Sequence, residues 1–281
     1  MSETKMPEDW HDQKGWEKYY ASLIHKGSYL DEAQRTGSIS FDRLPQFVEE
    51  LKSNNFSTIW IAGCGLSLMP KLLAKGGLNV YATDISPTAI AFQQDNEDSN
   101  VDAIIQKSEV LKTDSGSLTA EIHDFNQPYL ENYFDFIINV KAIQGFNSDT
   151  MRQIAKVHYN ALKPSRQVIF DTMNVQGERR EMLEESLVDA GFFLPFYELN
   201  VWYRAKLNET GIPHVFILGQ PMIPRIGDYA DDETKWQNDI QILRAIAAEF
   251  SEKQQAEAET MKKHFSEHPE TKRANVIYST G

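Results

Sequence analysis

The stretch Thr58–Pro70, TIWIAGCGLSLMP, limits the possible folds of this chain more than any other. An apolar run, Ser57–Ala62, breaks at Gly63-Cys64-Gly65. An apolar helical pattern follows over Leu66–Lys75 and is closed by Gly76-Gly77. A second apolar run, Asn79–Thr83, ends on an acid, Asp84, before Ser86-Pro87 supplies the N-cap and first turn of another helix. A strand that hands over to a helix within a few residues needs positions without a Cβ, and such a bare turn lets backbone approach a ligand. The two runs therefore predict adjacent strands of a nucleotide-binding α/β sheet. Asp84 lies about 20 residues after Gly63, where an acid at a strand end can accept hydrogen bonds from ribose hydroxyls. The bland alternative, an N-cap acid, is weakened because Ser86 already fills that place.

The remaining chain extends the alternation. Trp10–Ile24 reads as a helix with Trp16, Tyr20 and Ile24 on one face, either an edge helix or an aromatic lid. Phe41–Lys52 is a second helix. Leu118–His123, Tyr133–Val140 and Gln167–Met173 read as strands, the second a nearly continuous apolar run of the kind found when both sheet faces are covered. Asp149–Leu162 and Glu178–Ala190 read as helices. Phe196–Lys206 and His214–Gln220, separated by a segment with Gly211 and Pro213, predict a terminal antiparallel hairpin. The sum is a mostly parallel seven-stranded α/β sheet with one antiparallel edge strand. Asp231–Phe265 is a long helix striped by Trp236, Ile240, Leu243, Ala247 and Phe250, with a tail after it. The expected division is a helical lid over 1–45, a ligand-binding sheet domain over 46–221, and a linker, helix and tail over 222–281.

Charge and composition narrow the partners. The net charge of −13 disfavours a nucleic-acid partner, and solubility alone accounts for it. Cys64 is the single cysteine, so no internal disulfide forms, which fits a reducing compartment. The amino terminus lacks an apolar signal region, and no run reaches the roughly 18 apolar residues of a membrane span. The expectation is a cytoplasmic protein with no membrane partner.

The third glycine of a dinucleotide fingerprint is missing, since Leu68 stands there, and no GK[ST] follows. The pattern instead resembles the first motif of class I S-adenosylmethionine-dependent methyltransferases, and IAGCG resembles the thiopurine methyltransferase-like branch. Ile61 stands where other branches carry an acid, and Ser67 replaces a commoner glycine. The likeness runs from about Trp16 to Gln220. It implies a Rossmann-like fold, S-adenosylmethionine as cofactor, and a set of cofactor contacts. Ala62, Gly63, Cys64, Gly65 and Leu68 would form the first turn, with Asp84 and Ile85 at the ribose. Asp124 would face the adenine amino group, with Phe125 beside the ring. Asn139 and Val140 would lie at the methionine end, and Trp16 and Tyr20 would cap the whole.

Methyl transfer needs alignment more than catalytic side chains, and no general base is apparent. Lys141 and Gln144, after the fourth strand, are candidates for the acceptor side. Lys141 reads equally well as an exposed helix-start lysine. An Asn/Asp-Pro-Pro-aromatic run, which marks base-amino methylation, is absent. His25, His123, His158 and His214 lack metal-ligand spacing, so no metal is expected. The leading expectation is methylation of a small molecule. Protein methylation with a partner recruited by 231–265 and a non-catalytic scaffold remain as alternatives. The long helix either packs on its own sheet or joins two copies.

Overall fold

The computed structural model describes residues 12–27, 44–95, 116–140, 142–143, 145–171, 178–192, 194, 197–211, 215–217, 220–222, 232–267 and 276–278. The elements in order are α1 (Gln13–His25), α2 (Leu44–Ser53), β1 (Thr58–Ala62), α3 (Met69–Lys75), β2 (Asn79–Asp84) and α4 (Pro87–Gln94). Then come β3 (Ser117–Ile122), β4 (Phe134–Val140), α5 (Ser148–Ala161), β5 (Leu162–Asp171), α6 (Glu178–Ala190) and α7 (Tyr197–Glu209). The short strands β6 (Val215–Ile217) and β7 (Gln220–Met222) precede α8 (Glu233–Glu267) and β8 (Val276–Tyr278).

Six strands form one sheet in the order β3-β2-β1-β4-β5-β8, and each neighbouring pair is parallel. Side chains alternate between its faces, as the period of two requires. Trp60, Ala62, Ile137, Val168 and Phe170 pack with α5 and α6 on one side. Ile59, Ile61, Val80, Ala82, Ile138 and Ile169 pack with α2 and α3 on the other. Both faces are covered, which explains the unbroken apolar runs. Chain order reverses between β1 and β4, so their carboxyl ends mark the switch point where open sheets bind ligands.

Asp135 anchors the opposite ends of three strands. Its carboxylate accepts from the backbone N–H groups of Ser57 and Thr58, both at 3.0 Å, and from Lys163 Nζ at 3.0 Å. Arg166 Nε lies 3.2 Å away. Burial pushes this acid up, but the donors outweigh it and hold the pKa below the ordinary carboxylate value.

Four expectations are corrected. The sheet has six strands among the described residues, all parallel, instead of seven with an antiparallel edge. Phe196–Lys206 is not a strand, because Tyr197–Glu209 is helix α7. Leu199, Tyr203 and Leu207 recur at helical spacing there and are buried against Leu243 and Phe250 of α8. The Tyr203 and Phe250 rings stack at 4.2 Å between centroids, so Leu243 and Phe250 of the α8 stripe pack on α7. The antiparallel hairpin is smaller, pairing β6 with β7 apart from the main sheet. Finally, the tail is not featureless, since β8 pairs in parallel with Val168–Phe170 of β5. Two further boundaries differ: α3 begins at Met69 and not at Leu66, and β5 begins at Leu162.

Candidate functional site

The turn after β1 is shaped by its glycines. Gly63 and Gly65 have φ of +70° and +49°, the left-handed region that side chains resist. A Cβ on Gly63 would come within 2.7 Å of Ala142 Cβ and 3.1 Å of Phe125 Cε1. A Cβ on Gly65 would come within 3.0 Å of the Tyr20 hydroxyl. The bend is therefore bare because neighbours press on it. Gln93 of α4 fixes it from below, with Nε2 donating to Gly65 O at 3.0 Å and to Ser67 O at 2.8 Å. Ser67 Oγ in turn accepts from Met69 N–H at the start of α3.

Asp84 faces this bend. Oδ2 accepts from Gly65 N–H and Oδ1 from Ser86 N–H, each at 2.9 Å. The side chain is buried, and burial raises its pKa to about 6. These two donors and the Ile85 N–H oppose that rise, and the charge on Glu17 adds to it. The carboxylate retains lone pairs for further donors. Cys64 is buried beside it, and burial together with Asp84 pushes the thiol well up, so it is not a nucleophile.

Helix α1 lies across this end of the sheet. Glu17 accepts from Ser86 Oγ at 2.7 Å and Thr88 N–H at 3.0 Å, and also from Thr88 Oγ1. The carboxylate thus caps the amino terminus of α4, where backbone donors are free and the helix dipole favours an anion. Those hydrogen bonds outweigh burial and lower its pKa. Gln13 Nε2 donates to Ile85 O at 2.7 Å. Gln13, Glu17 and Tyr20 share one face, and Trp16 stacks on Tyr20 at 5.4 Å. Tyr20 thus lies against Gly65, with Trp16 stacked on it.

The other predicted residues are distributed around the switch point. Ala62 is fully buried and pairs with Asn139 across β1 and β4. Asp124 follows β3, half-buried, and Oδ1 accepts from Asn126 N–H at 2.9 Å. Phe125 lies on the Gly63 bend and edge-on to Phe146. Asn139 is buried at the end of β4, whose backbone ends at Val140. Leu68 sits in the core among the α3 residues, away from the exposed side of the bend. Lys141 and Gln144 lie outside the described residues. Among the described residues no cluster of His, Cys, Asp and Glu could hold a metal, and no helix is long and apolar enough to cross a membrane.

Sequence reasoning missed Gln13, Glu17 and Gln93. Each is a polar helical residue whose partner is on another element, so no local signal marks it. It also missed His158, which is fully buried and stacked on Trp60 at 4.8 Å.

Residues 61–170 match the model of a family described as a methyltransferase domain, from Ile61 in β1 to Phe170 in β5. That span, less than half of the chain, is similar to a methyltransferase domain. The matched span includes the glycine bend, Asp84, Asp124 and Asn139. Solved structures similar to the chain include three methyltransferases. One is the magnesium protoporphyrin IX methyltransferase of Synechocystis PCC 6803 with bound SAM, at 16% identity over 64% of this chain and 86% of that one, with a TM-score of 0.43. A TehB-like SAM-dependent methyltransferase of Corynebacterium glutamicum shows 16% identity over 64% and 82%, with a TM-score of 0.39. A SAM-dependent methyltransferase of Methanosarcina mazei shows 18% identity over 42% and 54%, with a TM-score of 0.33. The chain spans about half the length of several such structures, 45%, 54% and 55% in three cases. No curated protein matches the chain.

Proposed function

We propose that this protein is an S-adenosylmethionine-dependent methyltransferase of the thiopurine methyltransferase-like branch, acting on a small molecule. The observation that carries the reading is the buried Asp84 carboxylate bonded to Gly65 N–H, which sets an acid and a bare backbone bend side by side at the ends of β2 and β1.

The residues fit the cofactor. Asp84 keeps acceptor capacity for the two ribose hydroxyls. The Gly63–Gly65 bend leaves room for an amino-acid tail once Tyr20 turns aside. Asp124 and Phe125 flank the adenine, and Asn139 meets the methionine end. When bound, S-adenosylmethionine supplies a methyl group already activated by its sulfonium charge. The chain's part is to hold and align the reactants, to cover them with Trp16 and Tyr20, and to exclude water. Lys141 and Gln144 are the proposed acceptor-side residues. The net charge of −13 supports a small acceptor over nucleic acid.

One observation favours a non-catalytic reading: the Tyr20 hydroxyl rests on Gly65, where the cofactor tail would lie. Two measurements test the proposal. Calorimetry should show S-adenosylhomocysteine binding in the micromolar range. Labelled S-adenosylmethionine should give methylated product in a metabolite extract from which macromolecules have been removed. Binding without any product would favour the non-catalytic reading, and product only with protein present would reject the small-molecule acceptor.

A further inference from the structure

His158, on α5, is used by nothing described so far. It is fully buried among aromatic rings, with Trp60 at 4.8 Å, Phe170 at 5.3 Å and Phe125 at 6.3 Å between centroids. Nδ1 lies 2.9 Å from Ile154 O. A carbonyl only accepts, so Nδ1 carries the hydrogen. Burial opposes a second proton and lowers the pKa to about 3, so the ring is neutral at physiological pH. Nε2 is therefore a fixed acceptor. The atom opposite it is Asn139 Nδ2, at 3.3 Å. An acceptor there requires the amide nitrogen, so the Asn139 carboxamide has one allowed orientation. Its oxygen is left buried with no hydrogen-bond partner among the described residues.

An unmet buried acceptor is costly unless a ligand donor fills it. Asn139 is the penultimate residue of β4 and pairs with Ala62, the residue before the Gly63 bend. Phe125 touches both His158 and that bend. The orphaned oxygen thus lies at the strand end beside the turn assigned to the cofactor's amino-acid tail. That tail offers a carboxylate, which only accepts, and an ammonium group, which only donates.

Resting on the methyltransferase reading, we propose that His158 is a positioning residue: it locks the Asn139 carboxamide so that its oxygen receives a hydrogen bond from the α-ammonium group of the cofactor. Removing the imidazole frees the amide to turn over and present its own N–H₂ to the cation.

Two compounds separate the tail from the nucleoside: S-adenosylhomocysteine, which has the ammonium group, and 5′-methylthioadenosine, which lacks the amino acid. His158→Phe keeps an aromatic ring against Trp60 and removes the acceptor. By calorimetry, this variant should bind S-adenosylhomocysteine about tenfold or more weakly, the size of a lost hydrogen bond to a charged group, while 5′-methylthioadenosine is unaffected. Asn139→Leu should show the same selective loss, and the double variant should lose no more than Asn139→Leu alone, because one residue acts through the other. Equal losses for the two compounds, or additive losses in the double variant, would overturn the inference while leaving the cofactor assignment intact. A wild-type chain that binds neither compound overturns the assignment and the inference together. Should the variants fail to fold, nitrogen NMR of the wild-type chain decides. The His158 ring should remain neutral with hydrogen on Nδ1 from pH 5 to 8, and a hydrogen on Nε2 would overturn the inference.

Discussion

Replacing Asp84 with alanine separates its two jobs, because each has its own pH dependence. The folded pKa of about 6 stands roughly 2 units above an ordinary aspartate, so the buried charge costs about 3 kcal/mol at pH 7. The sign follows from proton linkage. The folded chain binds the proton more tightly than the unfolded chain, so this group lends stability at low pH and loses it as pH rises through 6. The alanine variant has no such term. It strands the Gly65 and Ser86 N–H groups, at about 1–3 kcal/mol each, but it is also relieved of the buried charge. Near pH 7 these effects largely offset, and the variant should fold with stability within a few kcal/mol of wild type. Towards pH 4 the gap should widen by about 3 kcal/mol as wild type gains what the variant cannot. Urea denaturation of both chains between pH 4 and 8 measures this gap. S-adenosylhomocysteine affinity at pH 7 should fall at least 100-fold in the variant, on the order of two charge-assisted hydrogen bonds. Parallel stability profiles across pH would refute the burial argument, and unchanged affinity would refute the ribose assignment.

Other outcomes follow from the same geometry. Asp135→Asn should destabilise the fold by about 3 kcal/mol, since Lys163 and Arg166 lose their buried partner. Because the folded pKa is depressed, that loss should be full at neutral pH and shrink as pH falls below the unfolded carboxylate value, again by urea denaturation. Glu17→Ala should release α1 by about 1 kcal/mol, seen as faster hydrogen exchange over Gln13–His25 with the sheet unchanged. Unaltered protection there would show that Glu17 is not the latch. Gly63→Ala should lower the melting temperature, because φ of +70° costs an alanine about 1–2 kcal/mol and its Cβ meets Ala142.

The parts legible in the sequence are those whose signal is local. β1, β2 and β4 stood out because both faces of the sheet are covered, which leaves Ile59–Ala62 and Phe136–Asn139 buried throughout. Ser86 and Pro87 announced α4 because capping is a matter of neighbours, and Ser86 Oγ does accept from Ala89 N–H. The sequence of α7 reads as a strand because Phe196–Lys206 holds four aromatic residues, Phe196, Tyr197, Trp202 and Tyr203, and the β-branched Val201. Its true period shows only in Leu199, Tyr203 and Leu207, which face a partner helix that lies tens of residues later. β8 is three residues long and gains its pairing only from the open edge of β5, which no local pattern reveals. At the site, the glycine bend and Asp84 were visible because strand-end chemistry imposes residue types at fixed spacing. Glu17 and His158 were not, because their roles depend on Thr88 and Asn139 across the fold.

The central claim is that the cofactor lies across the ends of β1 and β2. A crystal structure with S-adenosylhomocysteine tests it directly. The account predicts both ribose hydroxyls within hydrogen-bond distance of Asp84, the amino-acid tail on the Gly63–Gly65 bend, and the Tyr20 ring moved off Gly65. A structure with the ligand bound elsewhere, and Tyr20 still resting on Gly65, would contradict it.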